Sequence, residues 1–291
     1  MKYQQLGLIG CGLMGGSFAL AMKQAGLVGR VVGYSKSPST TERARQMGVI
    51  DQTAESALLA VAGSDIVLMA VPVAATDATF KAIRHLVKPD VLIMDVGSTK
   101  RDVVDAARRT LRERIGSFVP AHPIAGKELA GVEHADAQLY RDRQVILTPI
   151  AQTQPELVVQ AERLWAALGC QVRTMSAEDH DAAFAAVSHL PHLLAFAYMA
   201  GVMQQKESEA FLQLAGPGFR DFTRIAASDP AIWRDILIAN REEVLKQSER
   251  FRGALGVLEQ TLKDCQGESL EALVQGVAQV RSHWRLNTRQ K

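Results

Sequence analysis

The chain carries seven histidines in 291 residues, and His122, His189 and His192 stand where proton transfer or ligand binding is plausible chemistry. His122 lies in Pro120-Ala121-His122-Pro123-Ile124-Ala125-Gly126. Prolines on both sides hold that backbone extended and stiff. An imidazole on a rigid loop suits general acid–base work near neutrality. The competing reading is a structural, hydrogen-bonded histidine. His189 and His192 fall in Ser188-His189-Leu190-Pro191-His192, where their spacing lets them share a helix face. No cysteine or third ligand stands near them, so polar contact with a bound molecule is preferred to a metal pair. In Gly216-Pro217-Gly218-Phe219-Arg220-Asp221-Phe222-Thr223-Arg224-Ile225-Ala226, arginines sit among apolar residues. A partly buried guanidinium needs an anion. Asp221 can supply one to Arg220, which leaves Arg224 as the candidate for a substrate carboxylate. Asp229-Pro230 is expected to cap the next helix, with Trp233 and Arg234 packing and pairing locally.

A second kind of chemistry is written in Gly10-Cys11-Gly12-Leu13-Met14-Gly15, a G-x-G-x-x-G loop. It directly follows an apolar run and opens a helical pattern, the context in which such a loop cradles a dinucleotide. Gly10 allows the tight turn, Gly12 lets the backbone approach a pyrophosphate, and Gly15 allows close helix–strand packing. The helix start offers N–H groups and a favourable dipole to phosphate. An acid after the second strand would bind the ribose 2′-hydroxyl, but the chain reads Tyr34-Ser35-Lys36-Ser37. Ser35 and Lys36 suit a 2′-phosphate, so the expected cofactor is NADP or NAD, with a lean to NADP. Ala70-Val71-Pro72 and Asp95-Val96-Gly97-Ser98-Thr99-Lys100 fall where strands end. Ligands of open α/β sheets bind there, which adds Val71 and Ser98 to the cofactor contacts.

These groups need a sheet to place them. Strands are expected over residues 5–9, 30–34, 66–70, 91–96, 117–119, 145–147 and 172–175. Helices are expected over 14–25, 41–47, 76–85, 101–114 and 155–168. Several of the strands are continuously apolar, as parallel strands covered on both faces must be. The strand–helix alternation predicts an α/β Rossmann-type doubly wound parallel sheet in residues 1–175. From residue 176 to 291 the pattern is all helical, over 179–204, 208–214, 230–262 and 269–284. Helices this apolar need cover, internally or from a second subunit, so residues 176–291 are expected to pair two copies into a homodimer, and their histidines and Arg224 to bind substrate.

Composition excludes other classes. Lys and Arg number 33 against 31 Asp and Glu, a net charge of +2, which gives no reason to expect a nucleic-acid partner. Hydrophobic residues make up 47%, too many for a disordered chain. Cys11, Cys170 and Cys265 form no disulfide framework or C-x-x-C pair. The apolar run at 190–202 is shorter than the ~20 residues of a membrane span, and the N-terminus has no signal-peptide pattern. A cytoplasmic protein with no membrane partner and no metal is expected.

Taken together, Gly10–Gly15, Asp95–Lys100, His122–Gly126, Ser188–His192 and Asp221–Ala226 resemble, in order and spacing, the prephenate/arogenate (cyclohexadienyl) dehydrogenase family. The resemblance covers roughly residues 5–240. It implies a nucleotide-binding domain followed by a helical dimerisation domain, with active sites between them. It further implies oxidative decarboxylation of prephenate to 4-hydroxyphenylpyruvate or of arogenate to tyrosine. His122 then matches the histidine that takes the proton of the ring 4-hydroxyl, and Ser98 a serine that positions hydroxyl and nicotinamide. His192 and Arg224 match substrate-orienting groups, Arg224 meeting a carboxylate, and His189 a supporting residue. Broad cyclohexadienyl use, prephenate included, is expected. The alternatives are a β-hydroxy acid dehydrogenase of the same two-part architecture, which would want a lysine in the interdomain helix, and a non-enzymatic NADP-binding protein.

Overall fold

Runs of apolar, β-branched residues build the centre of the molecule, a computed structural model that describes residues 2–285 apart from 86, 89 and 128. The strands β1 (Tyr3–Ile9), β2 (Val28–Tyr34), β3 (Gln52–Thr53), β4 (Ile66–Met69), β5 (Leu92–Asp95) and β6 (Phe118–Val119) form one parallel sheet. Its order is β3-β2-β1-β4-β5-β6, the doubly wound arrangement with a crevice at the reversal between β1 and β4. Helices α1 (Leu13–Gln24), α2 (Pro38–Gln46), α3 (Ala57–Val61), α4 (Thr76–Ile83) and α5 (Arg101–Thr110) make the crossovers. Two cores result. In one, Phe18, Tyr140 and Trp165 meet edge to face. In the other, Phe80 meets Phe118 in the same way.

A second sheet departs from the expected single one. β7 (Ala121–Pro123) pairs antiparallel with β8 (Gln144–Leu147), which pairs parallel with β9 (Gln171–Thr174) beyond α6 (Pro155–Ala167). His122 therefore sits in a short strand, paired with Ile146, rather than in a loop. The extended backbone that the prolines impose is what the ladder uses.

After β9 the chain is helical: α7 (Ala177–Phe184), α8 (Leu190–Met203), α9 (Ser208–Gln213), α10 (Pro217–Thr223), α11 (Pro230–Ala239), α12 (Arg241–Lys263) and α13 (Gly267–His283). Ser176 caps α7 through the Asp179 amide, and Asp229 caps α11 through the Ala231 and Ile232 amides. Pro191 has no N–H for the turn before it, and between α7 and α8 the helix widens into a π turn over Ala185–His189. The continuous helix Ala177–Met203 is long and apolar enough to cross a membrane by length and composition alone. It is nevertheless tied to the rest of the fold by the polar bonds of His180 to His122, of Asp181 to the Lys100 amide and of His189 to Asn240. The expected single helix over 230–262 breaks at Asn240, whose side chain is buried and used elsewhere. Large apolar side chains on this half face outward, Val187 at 71%, Val277 at 71% and Val280 at 74% exposure.

Candidate active site

The glycine loop is forced by packing at both ends and open in the middle. Gly10 has φ of +94°, and a Cβ there would lie 2.1 Å from the Ala70 carbonyl oxygen. A Cβ on Gly15 would lie 2.0 Å from the Gly10 oxygen. A Cβ on Gly12 would meet nothing within 4 Å. Gly12 begins α1 with no side-chain cap and no acid in the first turn, so the first N–H groups of the helix suit an incoming anion. The loop fits a pyrophosphate. Ser35 braces it, its hydroxyl accepting the Cys11 amide at 2.8 Å while its own amide bonds Thr41 Oγ1 at 3.1 Å. Lys36 stays exposed. Burial pushes the Cys11 thiol up to about 11, so Cys11 is inert as a nucleophile. In front of the loop lies a cleft of about 410 Å³. Gly12, Leu13, Met14, Val71 and Ser98 line its α/β side, and Ile232 and Trp233 of α11 its helical side.

At the end of β5 a buried ion pair sets the start of β7. Lys100, wholly buried, bonds the Asp95 carboxylate and donates to the Ala121 carbonyl at 2.8 Å. Asp95 Oδ1 accepts the Ala121 amide at 2.9 Å, and Oδ2 accepts the Gly97 amide at 2.9 Å. Both main-chain groups of Ala121 are thus clamped, and His122 is the next residue.

His122 is 8% exposed. Its Nδ1 lies 2.8 Å from His180 Nε2, and His180 Nδ1 lies 2.8 Å from Asp181 Oδ1. Phe184 covers both rings, at 4.8 Å from His122 and stacked at 4.4 Å on His180. Burial, then the charges of His180, Lys100 and His189, hold His122 well below its ordinary pKa. Burial pushes Asp181 up, but bonds from His180 and from the Arg101 and Lys100 amides outweigh it, and the carboxyl ends below its ordinary value. His122 is accordingly neutral near pH 7 and Asp181 is ionised.

Asn240 organises the next histidine. Its Nδ2 donates to the Asp181 carbonyl at 2.8 Å, which fixes the amide's orientation, and meets His189 Nδ1 at 3.0 Å. Nδ1 of His189 is then the acceptor and Nε2 carries the proton. That Nε2 is buried beside the Ser98 backbone, so His189 ties the helical half to the turn that follows β5. Burial first pushes His189 down to about 4. His192 Nδ1 meets the Ser188 carbonyl at 2.9 Å, and its ring stacks on Trp233 at 3.5 Å. Burial lowers the pKa of His192, and the nearby positive charge of Arg224 adds to that.

The cleft gathers Gly12, Leu13, Met14, Val71 and Ser98. His122, His189 and His192 form an adjoining cluster that reaches the cleft through Ser98 and Trp233. Arg224, exposed rather than partly buried, borders that cluster through its charge near His192, while Ser35 stands against Cys11 of the loop and Lys36 follows it on the surface. Asp95, Lys100, His180, Asp181 and Asn240 were not singled out from sequence as site residues. The signal was present for some of them: an apolar helix rarely carries adjacent His and Asp unless they are paired.

The chain matches two family models in succession. Residues 18–174 match "Prephenate dehydrogenase, nucleotide-binding domain" and residues 176–276 match "Prephenate dehydrogenase, dimerization domain". It is 34% identical over 270 residues to the cyclohexadienyl dehydrogenase of Zymomonas mobilis, covering 92% of each chain. Its fold is similar to that of the A. aeolicus prephenate dehydrogenase solved with hydroxyphenyl propionate and NAD+. That match has a TM-score of 0.90 and 35% identity, and covers 97% of this chain and 98% of that one. The arogenate dehydrogenase of Synechocystis matches with TM-score 0.81 and 25% identity, covering 96% and 99%.

Proposed function

The chain belongs to the prephenate dehydrogenase family, and from that premise we propose how its own residues perform the oxidation. The reaction is the NAD(P)+-dependent oxidation of prephenate or arogenate in tyrosine biosynthesis. The observation that carries the proposal is a buried, neutral imidazole, His122, held by a strand beside a dinucleotide cleft.

His122 accepts the proton of the substrate's ring 4-hydroxyl on Nε2. Growing alkoxide character at C4 promotes loss of the hydride, and aromatisation of the ring drives loss of CO2. NAD(P)+ held in the cleft lined by Gly12, Leu13, Met14, Val71 and Ser98 would supply the hydride acceptor. Ser98, at the cleft wall, positions the hydroxyl and the nicotinamide. His189 supports the site from beside the Ser98 backbone, and His192 and Arg224 orient the substrate, Arg224 through a carboxylate. Asp95 and Lys100 hold the strand that carries His122. Gly10, Cys11, Gly12, Leu13, Met14 and Gly15 bind the dinucleotide with Val71. The lean to NADP rests on Ser35 and exposed Lys36 in the place of an acid. Prephenate is included among the substrates.

We draw the domain boundary between residues 175 and 176, supported by the last strand ending at Thr174 and α7 beginning at Ala177. The helical part pairs two copies, supported by its exposed apolar faces and by the description of the family model that matches it. The place of action is the cytoplasm, in keeping with three unpaired cysteines. Nicotinamide reduction with prephenate and with arogenate, each under NAD and NADP, tests the proposal. Reduction with prephenate is expected. No reduction in all four mixtures, with turnover of a β-hydroxy acid instead, refutes it.

A further inference from the structure

We propose that His180 and Asp181 form a positioning relay behind His122, one that fixes its Nε2 as the proton acceptor and moves the arriving charge onto His180. The relay rests on the reading of His122 as the base.

Three elements meet at the relay: β7 brings His122, α7 brings His180 and Asp181, and the start of α5 brings two amides. Asp181 Oδ1 accepts the Lys100 amide at 2.8 Å, and Oδ2 accepts the Arg101 amide at 3.0 Å. Two backbone donors require a carboxylate there. His180 Nδ1, 2.8 Å from Oδ1, must therefore carry its hydrogen. Neutral His180 then has a bare Nε2, and His122 Nδ1 at 2.8 Å must donate to it. The acceptor nitrogen of His122 is Nε2, with no tautomer left to choose.

The same chain explains how a buried imidazole can take a proton. An imidazolium on His122 would face Lys100, which is wholly buried, and His189. His180 faces the Asp181 carboxylate and, further off, Asp95 as well as Lys100. When the substrate O–H bond breaks, a bond forms from that hydrogen to His122 Nε2. The His122 Nδ1–H bond breaks in turn, and its hydrogen bonds to His180 Nε2. His122 ends neutral in its other tautomer, and His180 ends as an imidazolium against Asp181, stacked on the face of Phe184. Once product leaves, the hydrogen returns to His122 Nδ1 and the one on Nε2 passes to water.

The test compares Asp181→Asn and His180→Phe with a His122→Asn control in the full chain, with prephenate and cofactor. Both relay variants are expected to lose kcat by about 10²–10⁴-fold, with substrate KM and cofactor Kd near wild type. In Asp181→Asn, loss of the carboxylate moves the acidic limb of kcat/KM to lower pH. A merely loosened fold would admit water and move it up toward ~6.5. Histidine ¹⁵N NMR of the wild type, with His122 assigned by its loss in His122→Asn, is expected to show protonated Nδ1 and bare Nε2. That measurement stands even where a variant fails to fold. Full kcat in both relay variants beside an inactive His122→Asn overturns the relay and keeps the base. A protonated Nε2 on wild-type His122 overturns the tautomer argument. An active His122→Asn overturns the base reading itself.

Discussion

At the scale of single residues, the site works by withholding protons from its imidazoles. His122, His180, His189 and His192 all sit below their ordinary pKa, with burial the largest cause in each. A neutral imidazole is the form that can accept a proton, so depression of the pKa keeps His122 ready across mildly acidic and neutral pH. Arg224 acts differently, as a fixed charge near His192. A charge-assisted bond of about 1.5–3 kcal/mol, at about 1.4 kcal/mol per factor of ten, sets the cost of its loss. Arg224→Ala is expected to raise substrate KM by about tenfold or more while kcat changes less. Steady-state kinetics at saturating cofactor checks this, and an unchanged KM removes Arg224 from the substrate site.

At the scale of elements, the turn from β5 into α5 does the positioning. It supplies the Asp95–Lys100 pair that clamps Ala121 and the two amides that hold Asp181. Breaking a buried pair by removing one partner costs about 3–5 kcal/mol, so Lys100→Met should show a large fall in unfolding free energy by denaturant titration. At the other end of the cleft, Lys36→Ala should shift the ratio of NADP to NAD affinity toward NAD. An unchanged ratio contradicts the role given to Lys36. Much of this was legible in the sequence. β4 and the buried ends of β1, β2 and β5 are short apolar runs, and the glycine loop lies where its spacing placed it. β3 was not legible, because Gln52–Thr53 is short and exposed. The prolines of β7 signal stiffness without saying what the stiff segment pairs with, so its sequence suggests a loop. The break at Asn240 hides among helix formers, since its cause is the distant Asp181 and His189. Asp95-Val96-Gly97-Ser98-Thr99-Lys100 was placed correctly at a strand end, yet its acid and lysine reveal their partnership only when the turn closes.

For the whole molecule, the two halves depend on each other. His122 belongs to a strand of the α/β half, and its neighbours His180 and His189 belong to the helical half. Arg101 of α5 adds a tie to Glu242 of α12 at 3.0 Å. Folding therefore buries neutral histidines that the unfolded chain would protonate below about pH 6.5. Their folded-state pKa values are depressed, so the unfolded state binds more protons as the pH falls and stability is lost with acid. For His189 the window runs from about 6.5 down to about 4. Thermal unfolding followed from pH 8 to pH 4.5 should show Tm falling below about pH 6.5, and a flat Tm through that range contradicts burial of neutral imidazoles. The outward valines of α13 make a second test: Val277→Asp should convert a dimer to monomer in sedimentation experiments. The central claim, that His122 is the proton acceptor, is tested most directly by the kcat of His122→Asn with prephenate at saturating cofactor. A fall of about 10²-fold or more with unchanged cofactor affinity is predicted. Near-normal turnover contradicts the account.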